Sequence, residues 1–277
     1  MRVLESARIS EIIEQLCLEV NHTIGKDVYS LVKKKLSVEN NKTARTILKL
    51  MIENFDLAQK KSLPICQDSG IVVVFAEIGQ NLSISGQTLE NAINKGVEKG
   101  YQNLRQSVCL CNFGEEKAKS TPAIVHITSN CGDSLKITLM AKGAGAENCS
   151  SLKFFNPTAS INEIEDFVVE TVKNAGGKAC PPVIVGVGIG GNFETSALLA
   201  KKALCKNIPF ANKNPILQKM QDSLLKKINL LGIGPQGLGG RTTALSVVVL
   251  DSPRHIASLP VAVNLNCYLA RHKTVFL

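Results

Sequence analysis

The run Ile71-Val72-Val73-Val74-Phe75-Ala76 constrains the fold more than any other stretch. It follows Gly70 and contains no polar residue, which is the signature of a strand buried on both faces. Such a strand needs helices or a second layer to cover it, and the sequence supplies helices. Ile9, Ile12, Ile13, Leu16 and Val20 recur at three- and four-residue steps, as do Ile47, Leu48, Met51, Phe55 and Leu57. The pattern predicts helix from Ser6 to about Lys61, with a turn at Asn40-Asn41 that can cap the next helix. Pro64 ends this helical region.

Further helices are predicted over Leu89–Leu104, Ile161–Ala175 (capped by Ser160 or Asn162), Glu194–Leu204 and Ile216–Leu231. Strands are predicted over Ala123–Ile127, Leu135–Met140, Val183–Val187, Ala244–Leu250 and Leu259–Val263. Cys131-Gly132-Asp133 suits a hairpin turn between the first two. Loose alternation of strands and helices gives an α/β (α+β) class, with mixed β-sheets flanked by helices. The expected organisation is one domain over 1–277, with the helical segment 1–62 packed on it. No internal repeat or low-complexity linker interrupts it. The chain stops ten residues after Cys267, with no further element expected there to close a site.

The chain has 277 residues, 44% of them hydrophobic, which suffices for a substantial core. Its formal charge is +9. The lysines form short runs on helix surfaces, without interleaved aromatics, so nucleic acid is not an expected partner. The charge reads first as solvated helix faces, and second as a positive field that attracts a small dianion or an acidic partner chain. No leader or membrane-length apolar run stands out, so a cytoplasmic location is expected. In a reducing compartment nine cysteines do not build a disulfide framework, and the absence of Cys-x-x-Cys argues against a zinc ribbon.

Three cysteines stand apart because turn formers or polar residues flank them at the mouths of apolar runs. Cys66 lies in Pro-Ile-Cys-Gln-Asp-Ser-Gly, Cys180 in Ala-Cys-Pro-Pro-Val, and Cys267 in Val-Asn-Leu-Asn-Cys-Tyr-Leu-Ala-Arg-His. Three converging thiolates describe an iron–sulfur cluster with one iron open for chemistry. Cys17 and Cys205 read as small core residues on helices. Cys109, Cys111, Cys131 and Cys149 have no comparable context, although each could be a ligand.

Asp68, two residues from Cys66, is either a proton-transfer group or a turn residue ahead of the strand. His255 and Arg105 have structural readings beside a catalytic one and a carboxylate-binding one. Lys142 to Asn148 reads as a flexible polar loop suited to binding. Two glycine-rich stretches invite nucleotide readings. Gly186-x-Gly188-x-x-Gly191 has the dinucleotide spacing but lacks an acidic residue downstream. Gly232 to Thr243 nearly spells a phosphate loop, but Pro235 and Arg241 stand where glycine and lysine are required. A turn that lets backbone approach a ligand closely fits it better.

Four motifs in order, Pro64–Gly70, Cys180–Gly191, Leu231–Thr243 and His255–His272, resemble the α subunit of two-subunit class I fumarate hydratases. That family of iron–sulfur hydro-lyases also includes L-tartrate dehydratase. The resemblance covers nearly the whole chain and implies the class I fumarase N-terminal domain fold. It further implies a [4Fe–4S] cluster on Cys66, Cys180 and Cys267, with the fourth iron a Lewis acid. The implied reaction is reversible hydration of fumarate to (S)-malate, a step of the tricarboxylic acid cycle. Alternatives are a tartrate dehydratase subunit or a catalytically lapsed, cluster-binding regulatory homologue. By motif, Asp68 and His255 are catalytic, while Gln67, Arg105 and Gly143 line the substrate site. A separate β subunit completes the site, in an α2β2 heterotetramer.

Two departures from the family pattern concern substrate choice. The stretch from Asn112 to Ala123 is longer and more charged than usual, and Ala144 and Ala146 replace smaller or polar loop residues. The Glu147-Asn148 pair resembles the fumarate enzymes more than the tartrate ones.

Overall fold

The computed structural model describes residues 2–102, 104, 110–115 and 118–277. Two compact units arise from interleaved segments: 1–24, 55–144 and 271–277 form the first, and 25–54 with 145–270 the second.

In the first unit, strand β2 (Ile71–Gly79) lies between β5 (Leu135–Lys142) and β4 (Ile124–Asn130), in the order β10-β5-β2-β4. β4 runs parallel to β2; β5 and the terminal strand β10 (His272–Phe276) are antiparallel to their neighbours. The expected hairpin across Cys131-Gly132-Asp133 is therefore corrected. β4 and β5 flank β2 instead of pairing, and the turn folds over the end of β2. Gln80 and Asn81 donate backbone hydrogen bonds to Asn130 and Gly132, and a Cβ on Gly79 would lie 2.5 Å from the Gly132 carbonyl oxygen. The last residues, for which no element was expected, supply an edge strand.

Helix α1 (Ser6–His22) packs on α4 (Leu89–Gln102) through glycines. A Cβ at Gly96 would meet the Ser10 carbonyl oxygen at 2.5 Å, and one at Gly100 would meet the Cys17 Cβ at 2.7 Å. The core joins Ile9, Ile13 and Leu16 of α1 to Val72, Val74, Ile137 and Leu139 of the sheet. A short parallel pair, β1 (Arg2–Glu5) with β3 (Leu82–Ser85), adds to this unit.

The second unit repeats the pairing pattern. β7 (Val183–Gly190) lies between antiparallel β9 (Leu259–Asn266) and parallel β8 (Ala244–Ser252), with β6 (Ser151–Phe155) on the far edge of β9. Helices α6 (Ile161–Ala175), α7 (Phe193–Ala203) and α8 (Pro215–Leu230) cover this sheet. Ser160 closes a reciprocal capping box with Glu163 at the start of α6, as the sequence suggests.

The N-terminal helical region is three helices, divided between the units: α1, then α2 (Lys26–Val38), then α3 (Lys42–Lys61), which runs through the division after Asn54. The Asn41 side chain caps α3 by accepting from the Ala44 N–H.

Candidate active site

In the first unit, one end of the sheet gathers the start of β2, the end of β5 and the start of β10. Residues 65–67 bend instead of continuing as an extended strand. The Asp68 carboxylate instead accepts from the Gly70 N–H through Oδ1 (2.8 Å) and from the Ala144 N–H through Oδ2 (2.9 Å). The turn-residue reading of Asp68 is thus realised in its hydrogen bonds, yet Oδ2 also borders Gly143. A Cβ on Gly143 would lie 3.2 Å from that oxygen. Half-buried Cys66 has its sulfur 3.4 Å from Gln67 Oε1, and Gln67 itself is exposed.

Arg271, which sequence reasoning did not single out, fixes this end. It is 3% exposed and donates through Nη1 to the Asp68 carbonyl oxygen (2.6 Å) and to Asn21 Oδ1 (2.8 Å). Tyr101 adds a second clamp, its hydroxyl donating to the carbonyls of Ser69 and Gly70. The flexible loop expected from Lys142 to Asn148 is corrected. Lys142 ends β5 and is 1% exposed, and Ala144–Glu147 form a helical turn, α5. Glu147, in the second unit, pairs with Lys201 and accepts from Asn264, so a structural network occupies it.

In the second unit, Cys180 and Cys267 share one sheet end. Cys180 precedes β7, Cys267 follows β9, and Ile184 pairs with Asn266 in register. Cys180 is exposed and takes a left-handed φ of 52°, an uncommon conformation for a residue with a side chain. Strain of this kind persists only where neighbours over-determine the turn. Here the Gln236 N–H donates to the Pro181 carbonyl oxygen at 2.7 Å, and Gly237 packs so closely on Gly177 that a Cβ would lie 2.7 Å from its Cα. The second glycine-rich stretch is thereby absorbed: it buttresses the Cys180 turn. Its own anchor is Glu39, which is 1% exposed and accepts from the backbone N–H groups of Asn40, Asn41 and Arg241. Glu39→Ala is expected to destabilise the fold by about 2–3 kcal/mol, because it strands buried donors, with Glu39→Gln milder. Urea unfolding of both variants checks this.

The first glycine-rich stretch also has a packing role. A Cβ on Gly186 would fall 2.2 Å from the Ala200 carbonyl oxygen, and one on Gly188 would fall 2.1 Å from that of Ser196. These glycines let α7 approach β7; they are not arranged around a nucleotide.

His255 lies elsewhere. Its loop joins β8 to β9 beyond the Gly190–Ser252 pair, at the opposite end of the second sheet from Cys180 and Cys267. The separation along β7 is about 20 Å at about 3.3 Å per residue. The ring is exposed and its Nδ1 accepts from the Ala257 N–H. Arg105 and Cys109 lie outside the described residues. Among the described residues, no three His, Cys, Asp or Glu side chains are grouped as a metal site. No described helix is long and apolar enough to cross a membrane.

The plainer cysteines separate by burial. Cys17 sits in the α1 core, and burial pushes its thiol up to about 12 from 9.0. Cys205 lies just past α7, not within the helix, and burial likewise pushes its thiol up to about 12. At pH 8 the thiolate fraction of Cys17 is about a thousandfold below that of an unperturbed thiol. Iodoacetamide mapping should therefore label exposed Cys111 and Cys131 in the native protein, and Cys17 only after unfolding.

Residues 10–276 match the family model described as Fumarate hydratase (Fumerase). The chain belongs to the class I fumarate hydratase and L-tartrate dehydratase α-subunit family. It shares 35% identity over 272 residues with a putative L(+)-tartrate dehydratase subunit alpha of Methanocaldococcus jannaschii, covering 95% of each chain. It shares 27% identity over 274 residues with the L(+)-tartrate dehydratase subunit alpha of Escherichia coli K12, covering 97% of this chain and 90% of the relative. The family places the chain among hydro-lyases, and the mixed sheets flanked by helices agree with its α-subunit architecture.

Proposed function

We propose that this chain is the α subunit of a hydro-lyase that removes water from a tartrate-like 2-hydroxy dicarboxylate. The observation that carries this reading is the near full-length likeness to tartrate dehydratase α subunits. It favours tartrate over the fumarate and malate expected from the sequence. The Glu147-Asn148 argument for fumarate loses its force because Lys201 and Asn264 account for Glu147. Dehydration of a 2,3-dihydroxy diacid gives an enol that tautomerises to the 2-oxo diacid.

Cys66, Cys180 and Cys267 would hold a [4Fe–4S] cluster. Three thiolates suit iron, and two of these cysteines stand at one sheet end. Beside Cys267, the Asn266 side chain is 2% exposed and its Nδ2 has no hydrogen-bond partner among the described residues. That orphaned donor suits a cluster sulfide or a substrate oxygen. When bound, the cluster supplies a Lewis-acidic iron for the substrate hydroxyl.

The protein's own groups do the rest. Arg271 and Tyr101 hold the segment from Asp68 to Gly70, and in this reading Asp68 would take or return a proton. Gln67 and Arg105 bind substrate oxygens in this reading. His255, implied by its motif to act on the substrate, stands at the far end of its own sheet from Cys180 and Cys267, and an α2β2 assembly with a β subunit is part of this reading.

The test is substrate comparison in the anaerobically prepared complex of this chain with its β subunit. L-tartrate should have a higher kcat/KM than (S)-malate by at least about tenfold, a difference of about 1.4 kcal/mol. Equal or reversed preference would return the reading to fumarate, and turnover of neither diacid would reject it.

A further inference from the structure

We propose that the open edge of β6 and the groove between β6 and α6 take an extended, alternately basic and apolar segment of the β subunit as a further strand; the inference rests on the α-subunit reading above. β6 is the terminal strand of the order β6-β9-β7-β8. Which of its backbone groups are open follows from β9. Pro260, opposite Phe154, has no N–H to give, and the Leu265 N–H points to the β6 side, donating to Ser150 Oγ. Successive residues of a strand present their backbone groups to opposite sides. Val261 and Val263 therefore pair with Lys153 and Ser151, and the N–H and C=O groups of Leu152 and Phe154 face outward. Neither backbone makes a hydrogen bond elsewhere among the described residues. An edge lysine often guards such a strand. Here Lys153 is folded back, its Nζ 4.7 Å from the Phe155 ring centroid and 5.9 Å from that of Phe167.

Beside this edge lies a groove of about 1080 Å³, wholly within the second unit. It reaches from Lys178, two residues before Cys180, to Asn156. On its α6 wall Glu163, Phe167 and Glu170 form one stripe at helical spacing, with exposed Asp166 beside them. On the other face of β6, Phe154 stacks on Phe193 with ring centroids 6.3 Å apart, and both rings are more than half exposed.

A strand laid along β6 turns alternate side chains to the two faces. On the α6 face it meets carboxylates, which lysine or arginine complements. On the other it meets the Phe154–Phe193 pair, which an apolar residue covers. Main-chain hydrogen bonds then supply affinity and the alternation supplies selectivity. A second copy of β6 is a poorer occupant. In the two-fold register that uses both outward residues, Lys153 of one copy opposes Lys153 of the other, and the two acidic α6 stripes are turned to one another; both are repulsive. The β subunit, which in this reading completes the site at the cysteine end, meets the groove at Lys178.

Amide hydrogen exchange on the full chain alone and in the anaerobic α–β complex tests this. The Leu152 and Phe154 amides should exchange freely in the chain alone and at least about tenfold more slowly in the complex. Two variants test the contacts separately. Phe154→Pro removes an outward N–H at an edge position, where proline is tolerated. Asp166→Lys combined with Glu170→Lys reverses two exposed charges and should leave the Tm within about 3 °C. Each variant should weaken β-subunit binding by at least about tenfold.

Unchanged exchange at Leu152 and Phe154 on complex formation would overturn the proposal. So would unchanged β-subunit affinity in the folded double charge variant, even if Phe154→Pro fails to fold. Protection of the same amides when the chain self-associates without the β subunit would make the occupant a second copy, and would also overturn it. A chain that binds no β subunit at all fails the α-subunit reading itself and this inference with it, an outcome distinct from the variant results.

Discussion

Cys180→Ser is expected to leave a folded protein with little cluster and almost no dehydratase activity. Cys180 is exposed, so exchanging sulfur for oxygen creates no cavity. The turn that holds it depends on backbone contacts from Gln236 and Gly237, which the exchange leaves in place. A serine hydroxyl is a hard, weakly acidic ligand and replaces a thiolate on iron poorly. Loss of one of three ligands should exceed the 10–100-fold effect typical of outer-shell changes. Iron analysis, visible absorption and circular dichroism, measured together, separate loss of cluster from loss of fold. A full cluster and full activity in Cys180→Ser would remove Cys180 from the ligand set.

Gly188→Ala should produce the largest loss of stability. The added methyl group would sit 2.1 Å from the Ser196 carbonyl oxygen and 2.6 Å from the Ala200 nitrogen. Both are backbone atoms of α7, so no rotamer change relieves the clash; the helix must move off the sheet. α7 brings Ala200 and Ala203 against that sheet, and both are fully buried. The expected cost is about 3 kcal/mol or more, the upper range for overpacking. Gly232→Ala is the control. Its φ of 66° is left-handed, but open space surrounds it, so the expected cost is about 1 kcal/mol. Equal denaturation midpoints for Gly188→Ala and wild type would show that the glycine spacing serves something other than packing.

Most elements were legible because their periodicity is strong. The run from Ile71 announces β2, and the spacing from Ile9 to Val20 announces α1. Pairing was less visible. The Cys131-Gly132-Asp133 turn has hairpin chemistry, but its two strands are held apart by β2, a long-range choice that local residues do not encode. The terminal strand from His272 to Phe276 buries no residue fully, and its pairing comes from β5.

The candidate site shows the same division. Local context distinguished Cys66, Cys180 and Cys267 from buried Cys17, and the structure places two of the three at one sheet end. Arg271 was present in the quoted motif around Cys267, but its significance lies in contacts to Asn21 and Asp68, 250 and 203 residues away. Glu39 was hidden for the same reason: its partner across the fold is Arg241, 202 residues on. His255 illustrates the converse. Its motif marks it as functional, while the sheet places it far from the cysteines of its own unit.

The most direct test of the central claim is iron and acid-labile sulfide content measured together with L-tartrate dehydration in the anaerobic α–β complex. The account predicts about four irons per α chain, in keeping with a [4Fe–4S] cluster, and formation of the 2-oxo diacid that is lost on exposure to oxygen. A complex that dehydrates tartrate at full rate without iron would contradict it.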